Sequence, residues 1–202
     1  MTKIKIKVEN SVPSQQKSAF SVKWSSKILQ KEGVRNVAEY GCGRLRNLPV
    51  LLKYFDTVDL IETTNQYDRF KELVPKRNNL RFFPEKEFLK INSKYEAIFM
   101  ISFLHVIPEN KKRKQILKTS FERLKPGGYL VVDVPQSETY YNRRKHLMIP
   151  HKDGWALKWG PAYTFYKSYY AKDLDSLVEK TTGMTLFQKA DYSKHLIRIW
   201  KK

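Results

Sequence analysis

The chain has 202 residues, 41% of them apolar and 13% aromatic, enough to bury a sizeable core and too apolar for wholesale disorder. It carries 39 Lys and Arg against 20 Asp and Glu, a formal net charge of +19. A field of that size attracts polyanions and speeds their encounter, which makes nucleic acid a candidate partner. Lysine outnumbers arginine 28 to 11, so the better bidentate reader of phosphate is not enriched, and nucleotide composition of the genome would produce the same excess. No apolar run approaches the ~20 residues of a bilayer crossing. Met1 to Glu9 alternates lysine with isoleucine and valine and lacks the apolar stretch of a signal peptide. The single cysteine, Cys42, excludes an internal disulfide framework and a cysteine-rich zinc site. A soluble, cytoplasmic protein with no membrane contact is expected.

Hydrophobic periodicity orders the elements. Ser14 to Glu32 reads as a helix with Phe20, Trp24, Ile28 and Leu29 on one face, stopped by Gly33. Asn36 to Tyr40 is a short strand running into Gly41-Cys-Gly43, and Leu45 to Tyr54 is helical in pattern despite Pro49. Asp56 to Glu62 is a second strand, Asn65 to Val74 a helix closed by Pro75, Leu80 to Phe83 a third strand, and Tyr95 to Phe103 a fourth. Glu109 to Leu124 is a helix with Ile116, Leu117, Phe121 and Leu124 inward and Lys111-Lys-Arg-Lys114 outward. Pro126-Gly-Gly128 reads as a tight turn before a fifth strand, Tyr129 to Val134. A polar and aromatic region follows, then a helix from Ala171 to Thr182 and two strands, Met184 to Ala190 and His195 to Trp200.

Short apolar strands alternating with amphipathic helices specify an α/β fold: a mostly parallel sheet with helices on both faces. The short connection between the last two strands makes them an antiparallel hairpin. We read residues 1–33 as an N-terminal helical extension and 34–202 as the α/β domain.

In such sheets ligands sit at the carboxyl ends of the strands. The first strand ends in Glu39-Tyr-Gly-Cys-Gly43, where glycines permit a tight turn and let backbone N–H groups approach a ligand. Glu62 ends the second strand, 23 positions later, and a carboxylate there accepts both hydrogen bonds of a ribose diol. A solvated strand end is the competing explanation for Glu62.

At these residues the chain resembles the class I S-adenosylmethionine-dependent methyltransferases. Four segments carry the resemblance: Val37-Ala-Glu-Tyr-Gly-Cys-Gly43, Leu60-Ile-Glu62, Ala97-Ile-Phe-Met-Ile-Ser-Phe-Leu-His105 and Leu124-Lys-Pro-Gly-Gly-Tyr-Leu-Val-Val132. It implies a Rossmann-like class I methyltransferase fold with a seven-stranded sheet and the cofactor S-adenosyl-L-methionine. It places Glu39 near the cofactor's amino group and Gly41 and Gly43, with the intervening Tyr40 and Cys42, along its methionine portion. Glu62 would hold the ribose hydroxyls, Glu85 (or Glu87) the adenine amine, and Ser102 would border the transferable methyl. Leu45 departs from the pattern, since many members carry a third glycine there; it also argues against a nicotinamide dehydrogenase.

His105, just past the fourth strand, is the candidate general base, with packing of the loop as the competing role. His151 and Asp153 read as a polar surface turn. Tyr140 to Lys172 holds seven basic residues against one acid, with nine aromatics, the composition of a single-stranded nucleic-acid surface. Tyr140, Tyr141, Arg143, Arg144 and Trp155 are the candidate substrate contacts. An anionic acceptor, RNA foremost, is expected. The alternatives are a small-molecule methyltransferase with an aromatic lid and a non-catalytic nucleic-acid-binding module that keeps the fold. Ser102-Phe-Leu-His105 lacks the Pro-Pro of amino-methylating DNA enzymes, which disfavours DNA-base acceptors. His105, His146, His151 and His195 form no ligand-spaced motif, so no metal is expected.

Overall fold

In the computed structural model, which describes residue 6 and residues 18–136, 145–159, 162–192 and 194–202, the apolar runs become the strands of one seven-stranded sheet. In chain order its parallel strands are β1 (Asn36–Tyr40), β2 (Thr57–Glu62), β3 (Leu80–Pro84), β4 (Tyr95–Ile101) and β5 (Leu124–Pro135). The antiparallel pair β9 (Thr185–Tyr192) and β10 (His195–Lys201) completes it. The spatial order is β3-β2-β1-β4-β5-β10-β9, so the expected closing hairpin stands at one edge, with β10 antiparallel to β5. The direction of crossing reverses between β1 and β4, and the crevice lies at their carboxyl ends.

Side-chain alternation divides the core. Val37, Phe99, Val131 and Ile199 face one apolar layer, while Ala38, Met100, Val132 and Trp200 face the other. Helices α1 (Phe20–Lys31) and α2 (Leu48–Tyr54) cover the first face, and α5 (Asn110–Arg123) and α6 (Ala171–Thr182) pack on each other over the second. Helices α3 (Thr64–Phe70) and α4 (Glu85–Phe88) complete the connections around β2 and β3. No helix among the described residues is long and apolar enough to cross a membrane.

Two expectations about faces are corrected. The buried side of α1 is Ser21, Val22, Ser25, Ser26 and Leu29, whereas Phe20 is 46% exposed. Small serines let the helix lie close to the sheet and push its bulky residues to the margins. Within the basic run of α5, Arg113 points inward and is fully buried. It donates to the Ile107 carbonyl at 2.6 Å and pairs with the Asp153 carboxylate. Pro126-Gly-Gly128 is not a free turn but a bulge in β5, between the pairs Tyr95–Leu124 and Ala97–Tyr129.

The polar and aromatic region forms a second, three-stranded antiparallel sheet that periodicity had not marked: β6 (Met148–His151), β7 (Gly154–Trp159) and β8 (Ala162–Tyr166). Its turn at Lys152–Asp153 is the expected surface turn, and it is anchored. Asp153 meets Arg113 and Lys167, and Lys152 meets Glu109. Arg113 therefore ties the small sheet to α5. Arg113→Ala removes the donor to Ile107 and opens a cavity under Phe165, so it should cost about 3 kcal/mol, read as a lowered urea midpoint.

Candidate active site

The turn after β1 is built on left-handed backbone. Gly41 has φ +79°, Gly43 +54° and Leu45 +62°. A Cβ on Gly41 would lie 2.1 Å from the Phe103 ring, so both the torsion and the close approach require glycine. Leu45 keeps the conformation usual for glycine although it is leucine, at a cost of about 1–2 kcal/mol, while its side chain packs in the α1–α2 core. Gly41 donates to the Ile61 carbonyl at 2.8 Å, which pins the turn to β2.

Two carboxyls end their strands beside this turn. Glu62 accepts from the Gly43 amide at 2.8 Å and the Thr63 amide at 2.9 Å, so it shapes the turn as well as facing the crevice. Glu39 is 1% exposed. Its Oε1 accepts from Asn47 Nδ2 at 2.6 Å, and among the described residues its buried Oε2 has no hydrogen-bond partner. Burial pushes the Glu39 pKa up to about 7, partly offset by the Asn47 hydrogen bond and the nearby Arg46 charge. Asn47 also accepts the Ala19 amide at 3.1 Å, which joins the start of α1 to the same carboxyl.

The remaining expected residues fall around the same edge. Tyr40 is buried, and its hydroxyl is held high in pKa by burial and by the adjacent Glu85 carboxylate, to which it hydrogen-bonds. Glu85 opens α4 and accepts Lys112 Nζ at 2.5 Å. Glu87 is exposed. Cys42 is buried, and burial raises its thiol pKa, which leaves it an inert packing group. Ser102 follows β4 at φ +53°, donates its amide to the Asp133 carbonyl at 2.9 Å and accepts Arg46 Nη2 at its hydroxyl at 3.4 Å.

His105 lies under the small sheet, edge-on to Tyr166 at 5.4 Å. Burial, with His195 as a nearby charge, lowers its pKa to about 3, which makes it a poor proton acceptor at neutral pH. Trp155 packs against the cluster of Met148, Leu157 and Tyr166. Tyr140, Tyr141, Arg143 and Arg144 lie outside the described residues.

Sequence reasoning missed a polar group at the ends of β5 and β10. Asp133, 3% exposed, accepts Ser21 Oγ on α1 at 2.5 Å and meets His195 Nδ1 at 2.5 Å. These residues, with Arg46 and Ser102, line a cavity of about 270 Å³. The signal that would have found Asp133 is the one used for Glu62, an acid at the carboxyl end of an apolar strand. His195 carried none, because its partner lies 62 positions away.

The sequence matches the family described as "Methyltransferase domain" over residues 17–187. The chain belongs to this methyltransferase family. Solved structures share its fold. An S-adenosylmethionine-dependent methyltransferase from Clostridium acetobutylicum aligns with TM-score 0.65 at 16% identity, over 91% of this chain and 92% of that one. The 1,6-didemethyltoxoflavin-N1-methyltransferase of Burkholderia thailandensis, with 1,6-didemethyltoxoflavin and S-adenosylhomocysteine bound, aligns with TM-score 0.64 at 16% identity, over 91% and 78%. Human N-acetylserotonin methyltransferase in complex with S-adenosylmethionine gives 0.64 at 15%, over 90% of this chain and 50% of that one. No curated protein sequence matches the chain. This methyltransferase uses S-adenosylmethionine, and its residues fit that cofactor. The orphaned oxygen of Glu39 calls for a donor such as the cofactor's ammonium, and the turn at Gly41 leaves no room for a side chain.

Because its pKa is raised, Glu39 favours the folded state at low pH, and that contribution is lost as pH rises from about 4.5 through about 7. Glu39→Gln removes the effect. The unfolding free energy of Glu39→Gln relative to wild type should therefore grow by about 3 kcal/mol between about pH 4 and about pH 8, as measured by urea titration.

Proposed function

We propose that this methyltransferase acts on a small molecule held in the cavity between α1, the carboxyl ends of β4 and β5, and the start of β10. That cavity, of about 270 Å³ with Ser102 in its wall, carries the reading. It has the volume for one small ring system. The burial of three of the aromatics between Tyr140 and Lys172 supports the same view, while Tyr170 in the same stretch is half exposed. Phe165, Tyr166 and Tyr169 are 0–4% exposed, so their faces serve packing and are withheld from nucleobases. Two of the solved structures of the same fold are named for small acceptors, 1,6-didemethyltoxoflavin and N-acetylserotonin.

S-adenosylmethionine supplies an electrophilic methyl group on a sulfonium whose departing thioether needs no proton. The protein's work is therefore to hold a nucleophile in line and close, and to exclude water. Glu39 and the Gly41–Gly43 turn would hold the amino-acid portion, with Arg46 the cation available to its carboxylate. Glu62, which accepts from the Gly43 and Thr63 amides, would hold the ribose hydroxyls. Glu85 lies at the expected adenine position, although its charge is shared with Lys112. Ser102 joins the cofactor side of the crevice to the acceptor cavity through Arg46.

The net charge of +19 favours the RNA reading and gives the test its second arm. Calorimetric titration with S-adenosylhomocysteine should show binding that survives moderate salt, weakened about tenfold or more by Glu62→Ala through lost charge-assisted hydrogen bonds. Near pH 6 the same titration should release a proton, as Glu39 ionises beside the ligand's ammonium, and Glu39→Gln should release none. Labelled methyl transfer should go to small molecules and persist at moderate salt. Transfer to RNA, with binding that falls steeply as salt rises, would overturn the small-acceptor reading.

A further inference from the structure

We infer that the acceptor is a small aromatic compound bearing a hydroxyl group, and that His195, held by Asp133, is the base that takes the hydroxyl proton. This rests on the small-acceptor reading above.

The placement follows from the sheet. β10 runs antiparallel to β5, so its first residue lies beside the carboxyl end of β5, with His195 opposite Pro135 and Ile197 opposite Asp133. Residues diagonal across two strands share a face, which brings the imidazole onto the Asp133 carboxylate, Nδ1 to Oδ1 at 2.5 Å. The other carboxylate oxygen takes the Ser21 hydroxyl. Asp133 is thus fixed from two sides and fixes the ring in turn. With Nδ1 occupied, Nε2 is the nitrogen left for a ligand, and the His195 side chain is 37% exposed in the wall of the cavity. A base oriented by a buried carboxylate is the arrangement that proton abstraction needs.

The rest of the wall selects the substrate. Phe20 and Tyr192 also line the cavity, stacked at 4.0 Å with planes 23° apart. Both are about half exposed. A stacked pair of half-wet rings at a cavity wall favours a planar aromatic ligand. Arg46 supplies positive charge for an oxygen that becomes negative as its proton leaves. A ring nitrogen with a free lone pair would need neither the base nor that charge. In the transfer, a lone pair on the aryl oxygen forms the bond to the methyl carbon as the carbon–sulfur bond breaks with its electron pair remaining on sulfur. The hydroxyl proton ends on Nε2 of His195. The other ionisable groups facing this histidine are Asp133 from β5, Arg46 from the loop before α2, Tyr192 from β9 and the buried His105 after β4.

The test is optical binding of 4-nitrophenol to the protein loaded with S-adenosylhomocysteine, buffered below the phenol's own ionisation. The wild type should develop a saturable phenolate band. His195→Asn, whose amide can still donate to Asp133 but offers no Nε2, should lower the bound phenolate fraction about tenfold while its S-adenosylhomocysteine affinity stays within about twofold. Asp133→Asn should lower the band by less, since the ring stays but loses its carboxylate. An undiminished band in His195→Asn, or no saturable phenol binding to a loaded wild type, overturns the inference and leaves the cofactor site standing. Failure of the wild type to bind S-adenosylhomocysteine overturns the reading beneath it.

Discussion

A carboxyl group buried with one hydrogen-bond partner among the described residues governs the strand-end edge of this protein. Glu39 sits at the end of the central strand, 1% exposed, where an ionised carboxylate would cost several kcal/mol without compensation. Its one hydrogen bond comes from Asn47, and its second oxygen is bare among the described residues. The site resolves the cost by staying largely protonated up to about pH 7. A cationic ligand group relieves it by the same electrostatics in the other direction. Asn47 must hold its place for this to work, and it does so by also accepting the amide that starts α1. The cofactor edge and the first helix are therefore one mechanical unit.

That coupling explains why α1 presents serines to the sheet. Ser21, Ser25 and Ser26 are 0–2% exposed, and a helix with leucines at those positions would stand farther from the strands. Only a close helix lets Ser21 reach Asp133 on β5. The helix thus closes one wall of the cavity and completes the support of the Asp133–His195 pair. Five segments far apart in sequence meet there: α1, the loop with Arg46, the residue after β4, the end of β5, and the β9–β10 hairpin.

The legible parts of the sequence were those set by local pattern. Strands β1 and β2 and helix α6 were readable because runs such as Leu60-Ile61-Glu62 state their burial and their end within a few residues. The places of the glycine turn and of both strand-end glutamates were readable for the same reason, since a strand's end is marked within a few residues. The left-handed torsion of Leu45 was not, because a leucine announces no positive φ and only the fixed turn on either side imposes it. The second sheet escaped because β6 to β8 are short, and their aromatics looked like a surface until Arg113 and Tyr166 were seen to be buried. The pairing of Asp133 with His195 is a product of antiparallel register, which no local window contains.

Charge and chemistry separate cleanly in this molecule. Three of the arginines are committed to structure: Arg113 and Arg198 are 0–1% exposed, and Arg81 is paired with Asp59. Several lysines near the small sheet and α5 are likewise paired, Lys112 with Glu85, Lys152 with Glu109 and Lys167 with Asp153. Exposed lysines such as Lys23, Lys27 and Lys53 and exposed arginines such as Arg44, Arg69 and Arg77 carry part of the net +19, and their influence fades within about 8 Å at physiological salt. Among the described residues the guanidinium in the cavity wall is that of Arg46, which shares the lining with Asp133 and His195. Diffuse surface charge raises the local concentration of any anion, large or small, and so sets encounter rates. On the small-acceptor reading we propose, the choice of acceptor is made where groups are buried, oriented and few, which is inside the cavity.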